Sequence, residues 1–369
     1  VHLVHVEGAG CYGHNGADDV ALDAALLARA SEPFPVNVKW TRSDEHGNEP
    51  LGPPAVMDLE ASLDGGGQVI DWRHEVFSCS HVGRPRPTPG YSNLQAAWLR
   101  ADAKAPAPRK PIAWPEVCIH RNLHPMYAFA NPHLVEHFVA DSPLRTSALR
   151  SLGAFANVFA IESFMDELAA AAEQDPIQFR LQHLADARAR KVLQRLEQQL
   201  QQRTVTDGAG RGVAMARYKN QQTWCAIGVD VFVDDAAHVQ LKHAVIVADA
   251  GLVIDPDGLA NQLEGGFIQA ASWTLKEEVR WDEDGITTLD WDSYPILRFS
   301  EIPHIETHFV GSNTAPALGA GEASTGPTPA AIANAVCAAT GLRARQVPIT
   351  PERLRALASS DAGAVWPGS

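Results

Sequence analysis

Hydrophobic and polar residues alternate at every second position in several stretches of the chain, a pattern typical of strands with one buried face. The two stretches at 55–63 and 68–77 flank Asp64, Gly65, Gly66 and Gly67, which predicts a hairpin. The alternation predicts strands at residues 1–6, 35–41, 55–63, 68–77, 212–218, 223–233 and 239–249, with strand and loop at 294–310.

Other stretches repeat their apolar residues with helical spacing. They predict helices at residues 20–30, 155–171, 176–185, 188–202 and 258–279, and one more from residue 330 onward. The helix at 188–202 is rich in Gln and Arg with little apolar content, so we expect it to face solvent. The region 84–115, rich in Pro, Ala, Lys and Arg, predicts an extended surface excursion that could contact partner subunits.

Strands and helices in this order indicate an α+β fold with mixed sheets and packed helices. The turn at 206–212 separates two predicted domains, residues 1–205 and 206–369. We expect the functional site where the two domains meet.

Charge and cysteine usage exclude several classes of protein. The formal net charge of −14 argues against a nucleic-acid groove or an anionic membrane surface. The five cysteines include no Cys-x-x-Cys pair, so neither a zinc site nor an iron–sulfur site of its own is expected. The sequence opens on Val1, so we expect the true N-terminus elsewhere.

A loop near the C-terminal end carries the strongest candidate for chemistry. Gly319, Gly321 and Gly326 would let the backbone approach a ligand, and a helix follows. Glu322 lies in this loop among small apolar neighbours, where a carboxylate becomes a useful base. The alternative is a carboxylate that interacts with the dipole of a nearby helix start.

A second glycine-rich loop contains Gly8, Gly10 and Gly13, which match the G-x-G-x-x-G spacing of dinucleotide-binding folds. Asp18 and Asp19 would stand where a pyrophosphate rests, which disfavours a nucleotide-dependent oxidoreductase. The histidines at 120, 124, 133 and 137 are spread over a Pro-interrupted stretch, so we expect surface or hydrogen-bonded histidines and no metal site.

Four segments together resemble characteristic loops of the molybdenum hydroxylases, the xanthine dehydrogenase and aldehyde oxidase superfamily. They are the glycine loop at 8–13, the segment Ala148-Leu149-Arg150-Ser151-Leu152-Gly153, the helix at 261–269 and the Glu322 loop. The sequences of residues 10–19 and 321–327 resemble those of molybdopterin-binding large subunits of the isoquinoline 1-oxidoreductase and nicotinate dehydrogenase type. The family's Gly-Gln-Gly loop is missing, so the chain resembles the C-terminal half of such a subunit, or one product of a split one.

This resemblance implies an oxidoreductase with the molybdenum-cofactor-binding fold of the family, made of two subdomains. It implies hydroxylation by water of an N-heteroaromatic compound of the nicotinate or isoquinoline kind, with Glu322 as base and Arg150 near the developing negative charge. Aldehyde oxidation by the same chemistry is the closest alternative. The resemblance assigns contacts with the cofactor to these residues: Gly10, Cys11, Tyr12, Gly13, Ala148, Arg150, Gln262 and Gly321. Leu152 stands where the family has an aromatic pocket residue, which puts planar stacking on that wall in doubt.

The implied cofactor is molybdopterin with molybdenum, held through the pterin and with no direct metal ligand from the protein, in the cytosine dinucleotide form. Electrons would pass to [2Fe-2S] clusters on an iron–sulfur small subunit and then to a cytochrome c subunit. The implied location is the bacterial cytoplasm or the periplasmic face of the inner membrane. A non-catalytic assembly subunit remains the alternative, because half of the expected cofactor contacts lie outside this sequence.

Overall fold

The computed structural model describes residues 10–85, 89–106, 118–311 and 314–360, together with His2 and Val4. Most of the strand predicted at 1–6 lies outside the described residues, as do Gly8 and large parts of the excursion at 84–115. The domain division after residue 205 stays a prediction.

Each predicted helix has a counterpart in the structure, and α2, α3 and α9 are additional. Asp175 and Asp255 cap the starts of α5 and α7 by accepting hydrogen bonds from the first free amides, as short polar side chains do at helix starts. The helices are α1 (Ala17–Ala30), α2 (Arg42–Asn48), α3 (Gln95–Trp98), α4 (Ala154–Ala171), α5 (Pro176–His183), α6 (Ala187–Gln201), α7 (Pro256–Leu275), α8 (Pro327–Thr340) and α9 (Pro351–Ser359).

The strands form two main sheets and one small ribbon. They are β1 (Ala55–Leu63), β2 (Val69–Ser78), β3 (Pro132–Phe138), β4 (Ala209–Arg217), β5 (Trp224–Val233), β6 (Val239–Asp249), β7 (Trp281–Asp282), β8 (Gly285–Ile286) and β9 (His304–Phe309). In the first sheet β1 pairs antiparallel with β2, which confirms the predicted hairpin, and β3 adds parallel to β2. In the second sheet the order is β4-β5-β6-β9, antiparallel except for the parallel pair β6 and β9.

Helices cover both faces of the second sheet. Successive residues of β5 point to opposite faces, so Cys225 and Ile227 join the core with α7 and α8, whereas Trp224 and Ala226 join the core with α5 and α6. The loop before α8 and the residues on α7 are thereby held on one face of a rigid sheet.

The prediction that residues 188–202 face solvent is wrong. α6 packs on the second sheet and buries its apolar residues as one stripe, namely Ala189, Val192, Leu193, Leu196 and Leu200. A few apolar residues suffice for a core helix when they share one face, because only that face must leave water.

The strand predicted at residues 35–41 is also wrong, since residues 36–41 have no assigned secondary structure and α2 starts at Arg42. An alternating pattern does not by itself make a strand, because a strand also needs a neighbouring strand with which to form backbone hydrogen bonds. None of the described helices is long and apolar enough to cross a membrane.

Candidate active site

The site is built where the glycine loop meets the segment before α4. The amide of Arg150 donates to the carbonyl of Tyr12 at 2.7 Å, and the amide of His14 donates to the carbonyl of Ala148 at 2.7 Å. Gly13 has φ +135°, and a Cβ there would lie 2.2 Å from the Ala148 carbonyl oxygen. Only glycine fits this crossing, so the two loops hold each other in place.

The other residues predicted for this loop lie at its surface. Gly10 and Cys11 are exposed, and the Cys11 thiol donates to the Gly13 carbonyl at 3.3 Å. Tyr12 is 53% exposed, and its ring centre lies 5.8 Å from the Arg150 guanidinium carbon.

Arg150 is the buried cation of the site, with 8% of its surface exposed. Its guanidinium donates to the Gly321 carbonyl at 2.8 Å and to the side chain of Gln269 at 3.2 Å. It also reaches the carbonyl of Gln262 at 3.3 Å. Burial lowers the pKa of Arg150, although the charge of Glu322 opposes this shift. Two carboxylates on the following helix, Glu162 and Asp166, pair with Arg180 and leave Arg150 without a carboxylate partner from α4.

Helix α7 turns one of its faces to Arg150. Arg150 contacts both Gln262 and Gln269, which lie on this face at i and i+7. A Cβ on Gly266 would lie 2.3 Å from the Ser324 hydroxyl oxygen and 3.3 Å from Arg150 Nη2. The missing side chain at Gly266 therefore lets α7 approach both the arginine and the Glu322 loop.

Glu322 is half-buried and held by polar donors from distant parts of the chain. Its Oε1 accepts from the amide of Ser151 at 2.8 Å. The hydroxyl of Tyr218 donates to the same carboxylate and in turn accepts from Arg121 Nη1 at 3.1 Å. Burial and the charge of Glu322 raise the pKa of Tyr218 well above its usual range. The expectation of only small apolar neighbours around this carboxylate is thus wrong.

Ser151 and Leu152 are strained in a way that explains the contact with Glu322. Their φ angles are +70° and +52°, values that non-glycine residues rarely adopt. The left-handed turn directs the Ser151 amide to Glu322, next to the start of α4, whose dipole also favours a negative charge. Such strain is concentrated at functional sites.

A large cleft of about 2190 Å³ runs beside this arrangement. Arg150, Leu152 and Gln262 line it, as do Phe155 and Trp273, whose rings meet edge to face at 5.5 Å. The volume exceeds the roughly 300–1,000 Å³ of ordinary ligand sites, so the cleft has room for a large ligand. Glu322 and Gly321 lie beside the cleft and are not among the described residues that line it.

Sequence reasoning missed Tyr218 and Arg121. Tyr218 follows β4, and Arg121 lies 97 residues earlier, so no local spacing connects them. Lys219 and Asn220, directly after Tyr218, both have φ +56°, and Asn122, directly after Arg121, has φ +60°. These features belong to the structure and have no counterpart in the residue pattern.

Comparison with known proteins identifies relatives of this chain. The family model described as molybdopterin cofactor-binding domain matches residues 154–303. The chain is 36% identical to a nicotinate dehydrogenase subunit from Pseudomonas putida over 96% of its own length and 30% of that protein. It is 27% identical to the beta subunit of isoquinoline 1-oxidoreductase from Brevundimonas diminuta over 95% of its own length and 42% of that protein.

The fold matches that of quinoline 2-oxidoreductase from Pseudomonas putida 86 with a TM-score of 0.71, at 13% sequence identity, over 91% of this chain and 66% of that one. The chain spans less than half the length of the two curated relatives, which fits the expectation that it corresponds to part of such a subunit. Residues 154–303 belong to the molybdopterin cofactor-binding domain family, and over nearly its whole length the chain is similar to subunits of nicotinate dehydrogenase and isoquinoline 1-oxidoreductase.

Proposed function

We propose that this chain contributes one wall of a molybdopterin site and the base for hydroxylation of an N-heteroaromatic compound by water. One observation carries the proposal. The carboxylate of Glu322 is fixed by the Ser151 amide and the Tyr218 hydroxyl, next to a buried arginine that has no carboxylate hydrogen-bonded to it among the described residues.

The residues at the site fit an anionic cofactor with many hydrogen-bonding groups. Among the described residues, Arg150 donates only to neutral carbonyl and amide oxygens, so no hydrogen-bonded carboxylate stands between its guanidinium and an anionic ligand. The hydroxyls of Ser151 and Thr325 are buried without a hydrogen-bond partner, although buried polar atoms are nearly always paired. Gln262 is exposed in the cleft and presents its amide.

Arg150, Gln262 and the backbone around Cys11 to Gly13 would hold the cofactor, and the pterin would carry the metal. When bound, the molybdenum–pterin group supplies the two-electron redox chemistry. The protein supplies position and charge. Arg150 stabilises negative charge that develops beside it, because a cation in a partly dry site acts strongly over a short distance.

Glu322 has the geometry of a general base. The Ser151 amide and the Tyr218 hydroxyl orient its carboxylate. A base with a fixed direction contributes more to the rate than a mobile one, since its position need not be found anew in each turnover. Tyr218 would position Glu322, and Arg121 would position Tyr218.

The names of the relatives support a flat N-heteroaromatic substrate. Leu152 offers no ring for stacking, but the edge-to-face pair Phe155 and Trp273 provides aromatic surface on the same cleft. We therefore assign the planar contact to these two residues. Aldehyde oxidation would use the same base, so both substrate classes belong in one assay.

The electron path lies outside this chain in our proposal. No two of its five cysteines stand in a Cys-x-x-Cys pair, so the [2Fe-2S] clusters would reside on a small partner subunit, and a cytochrome c subunit would accept their electrons. The remaining pterin contacts would come from the other part of the large subunit. The cytosine dinucleotide form of the cofactor and a location in the cytoplasm or at the periplasmic face of the inner membrane are further proposals.

The first experiment is analysis of molybdenum and pterin in the chain purified alone and together with its partner subunits. Cofactor that appears in the complex, followed by activity with nicotinate, isoquinoline or an aldehyde, supports the proposal. No molybdenum in either preparation would overturn it and leave the assembly-subunit alternative.

Glu322→Gln in the complex then tests the base. We expect about a thousandfold loss of kcat with unchanged molybdenum content, the scale of a lost general base. Glu264→Gln is the matched control, because Glu264 is a half-buried carboxylate on α7 that binds Thr307 on the sheet. Activity of Glu322→Gln within about tenfold of the original would contradict the assignment.

A further inference from the structure

A second cluster of chemically active side chains lies on the second sheet. Strand β9 begins with His304 and has Glu306 and His308 at every second position, which places all three on one face. His243 on the neighbouring strand β6 stands directly beside His304 in the parallel register. Three imidazoles thus converge on one carboxylate.

This cluster faces away from the helix that carries Gln262. Thr307, which lies between Glu306 and His308 and points to the opposite face, donates to Glu264 of α7 at 3.1 Å. Since neighbouring residues of a strand alternate, Glu306 points to the face that α6 covers. The cluster is therefore separate from the cofactor site, and its function does not depend on the function proposed above.

The distances suit a metal ion. His243 Nε2 lies 3.3 Å from Glu306 Oε1, and His304 Nδ1 lies 3.8 Å from the same oxygen. The three ligand atoms are all within 4.8 Å of one another. Zinc–ligand bonds of about 2.0–2.1 Å in a tetrahedron separate neighbouring ligand atoms by roughly 3.3 Å. The His304 side chain is 69% exposed, so it can rotate by the small amount that brings its Nδ1 atom to this spacing.

Other groups around the cluster are also compatible with a bound metal ion. The Nε2 atom of His308 is buried without a hydrogen-bond partner and lies 3.7 Å from Glu306 Oε2, where it can orient the carboxylate. Arg203, just after α6, forms an ion pair with Glu306 and competes for it. Its side chain is 42% exposed and can turn into water.

We propose that His243, His304 and Glu306 bind a divalent transition-metal ion of the zinc class, with water at the fourth position. Two imidazoles and one carboxylate are a common ligand set for such ions. The ion would link the edge strand β9 to β6 and replace the Arg203 ion pair.

The test uses the full chain with its cofactor and partners, after removal of any histidine tag. Zn²⁺ is titrated by calorimetry, and Co²⁺ is titrated by its visible absorption as a reporter of ligand geometry. We expect one saturable site in the original chain. His304→Ala should weaken Zn²⁺ binding by about 100-fold or more, since even supporting residues of metal sites contribute 10–100-fold.

Two further variants give independent readings. His238→Ala is the matched control, because His238 is also an exposed histidine just before β6 but pairs with Asp234. Its Zn²⁺ affinity should stay within about twofold of the original. Arg203→Gln should bind Zn²⁺ about fivefold more tightly, because the competing ion pair is lost. The absence of saturable binding, or equal binding by the original chain and His304→Ala, overturns the proposal.

Discussion

Two buried arginines on either side of α4 behave in opposite ways. Arg180, in the core beneath the second sheet, is fully buried and pairs with Glu162 at 2.9 Å and Asp166 at 2.7 Å. Burial alone would lower the pKa of Arg180, but the two carboxylates outweigh it and raise the pKa. Arg150, at the cleft, has a lowered pKa and donates only to neutral oxygens.

The same contrast holds for two tyrosine–glutamate pairs. In the core, Tyr127 donates to Glu162 at 2.6 Å, and Glu162 also accepts from the Met215 amide, so both members of this pair are satisfied within the protein. At the cleft, Tyr218 donates to Glu322 while nearby hydroxyls of Ser151 and Thr325 lack partners. A folded protein compensates buried charges unless they serve a ligand, so the uncompensated region marks the site.

The largest effect should come from the core region. Arg180→Met leaves Glu162 and Asp166 buried without their cation, and we expect a loss of about 3–5 kcal/mol in the free energy of unfolding. Chemical denaturation of the cofactor-free chain measures it. A loss below about 1 kcal/mol would show that the core pairs are not the compensated network inferred here.

Arg150→Gln should give the reverse result. The cofactor-free chain should keep its unfolding free energy within about 1 kcal/mol, because no carboxylate loses a hydrogen-bonded partner. Cofactor binding should weaken by about 2–3 kcal/mol, or roughly 100-fold, the scale of hydrogen bonds to charged groups. Molybdenum content at limiting cofactor checks this. Loss of stability as large as in Arg180→Met would erase the distinction between the two regions.

The carboxyl group of Glu49 extends the comparison of the cleft with the core to the pH dependence of stability. This carboxyl group lines the cleft, and burial, with help from the charge of Glu45, raises its pKa to about 7. A carboxyl group with a raised pKa in the folded state stabilises the protein in its neutral form, and this contribution is lost as the pH rises through about 7.

Glu49→Gln removes that pH dependence. Relative to the original chain, the variant should gain about 2 kcal/mol of stability on going from pH 5 to pH 8, after allowance for partial exposure of the group. Thermal or chemical unfolding at both pH values measures the difference. A gain that is the same at pH 5 and pH 8 would contradict the raised pKa of Glu49.

The smallest effect concerns the positioning of Glu322. Tyr218→Phe should lower kcat by about tenfold, or 1.4 kcal/mol, with unchanged cofactor content. Tyr127→Phe is the control from the core region and should cost stability without changing kcat. An unchanged kcat in Tyr218→Phe would remove Tyr218 from the mechanism.

Much of the architecture could be predicted from local patterns. The boundaries of β1 and β6 coincide with the predicted ones, and α4 and α7 are close, because burial on one face leaves a period of two or 3.6 in the sequence. The family and the cofactor class were also predicted and are confirmed. The role of Glu322 as base, the residues that hold the cofactor and the substrate stay predictions.

The sequence by itself determined the longer helices and the strands β1, β2, β4, β5 and β6, and it placed Gln262, Gly266 and Gln269 on one face of α7, since each follows from local spacing. Only the tertiary structure decided that Arg180, and not Arg150, takes Glu162, and that Tyr218 and Arg121 reach Glu322. It also brought His243 next to His304. Arg180 and Glu162 are 18 positions apart along the chain, and Tyr218 and Arg121 are 97 apart. No periodicity in the sequence indicates such pairs, because the packing of distant elements, and not the local backbone, sets the distance between their side chains.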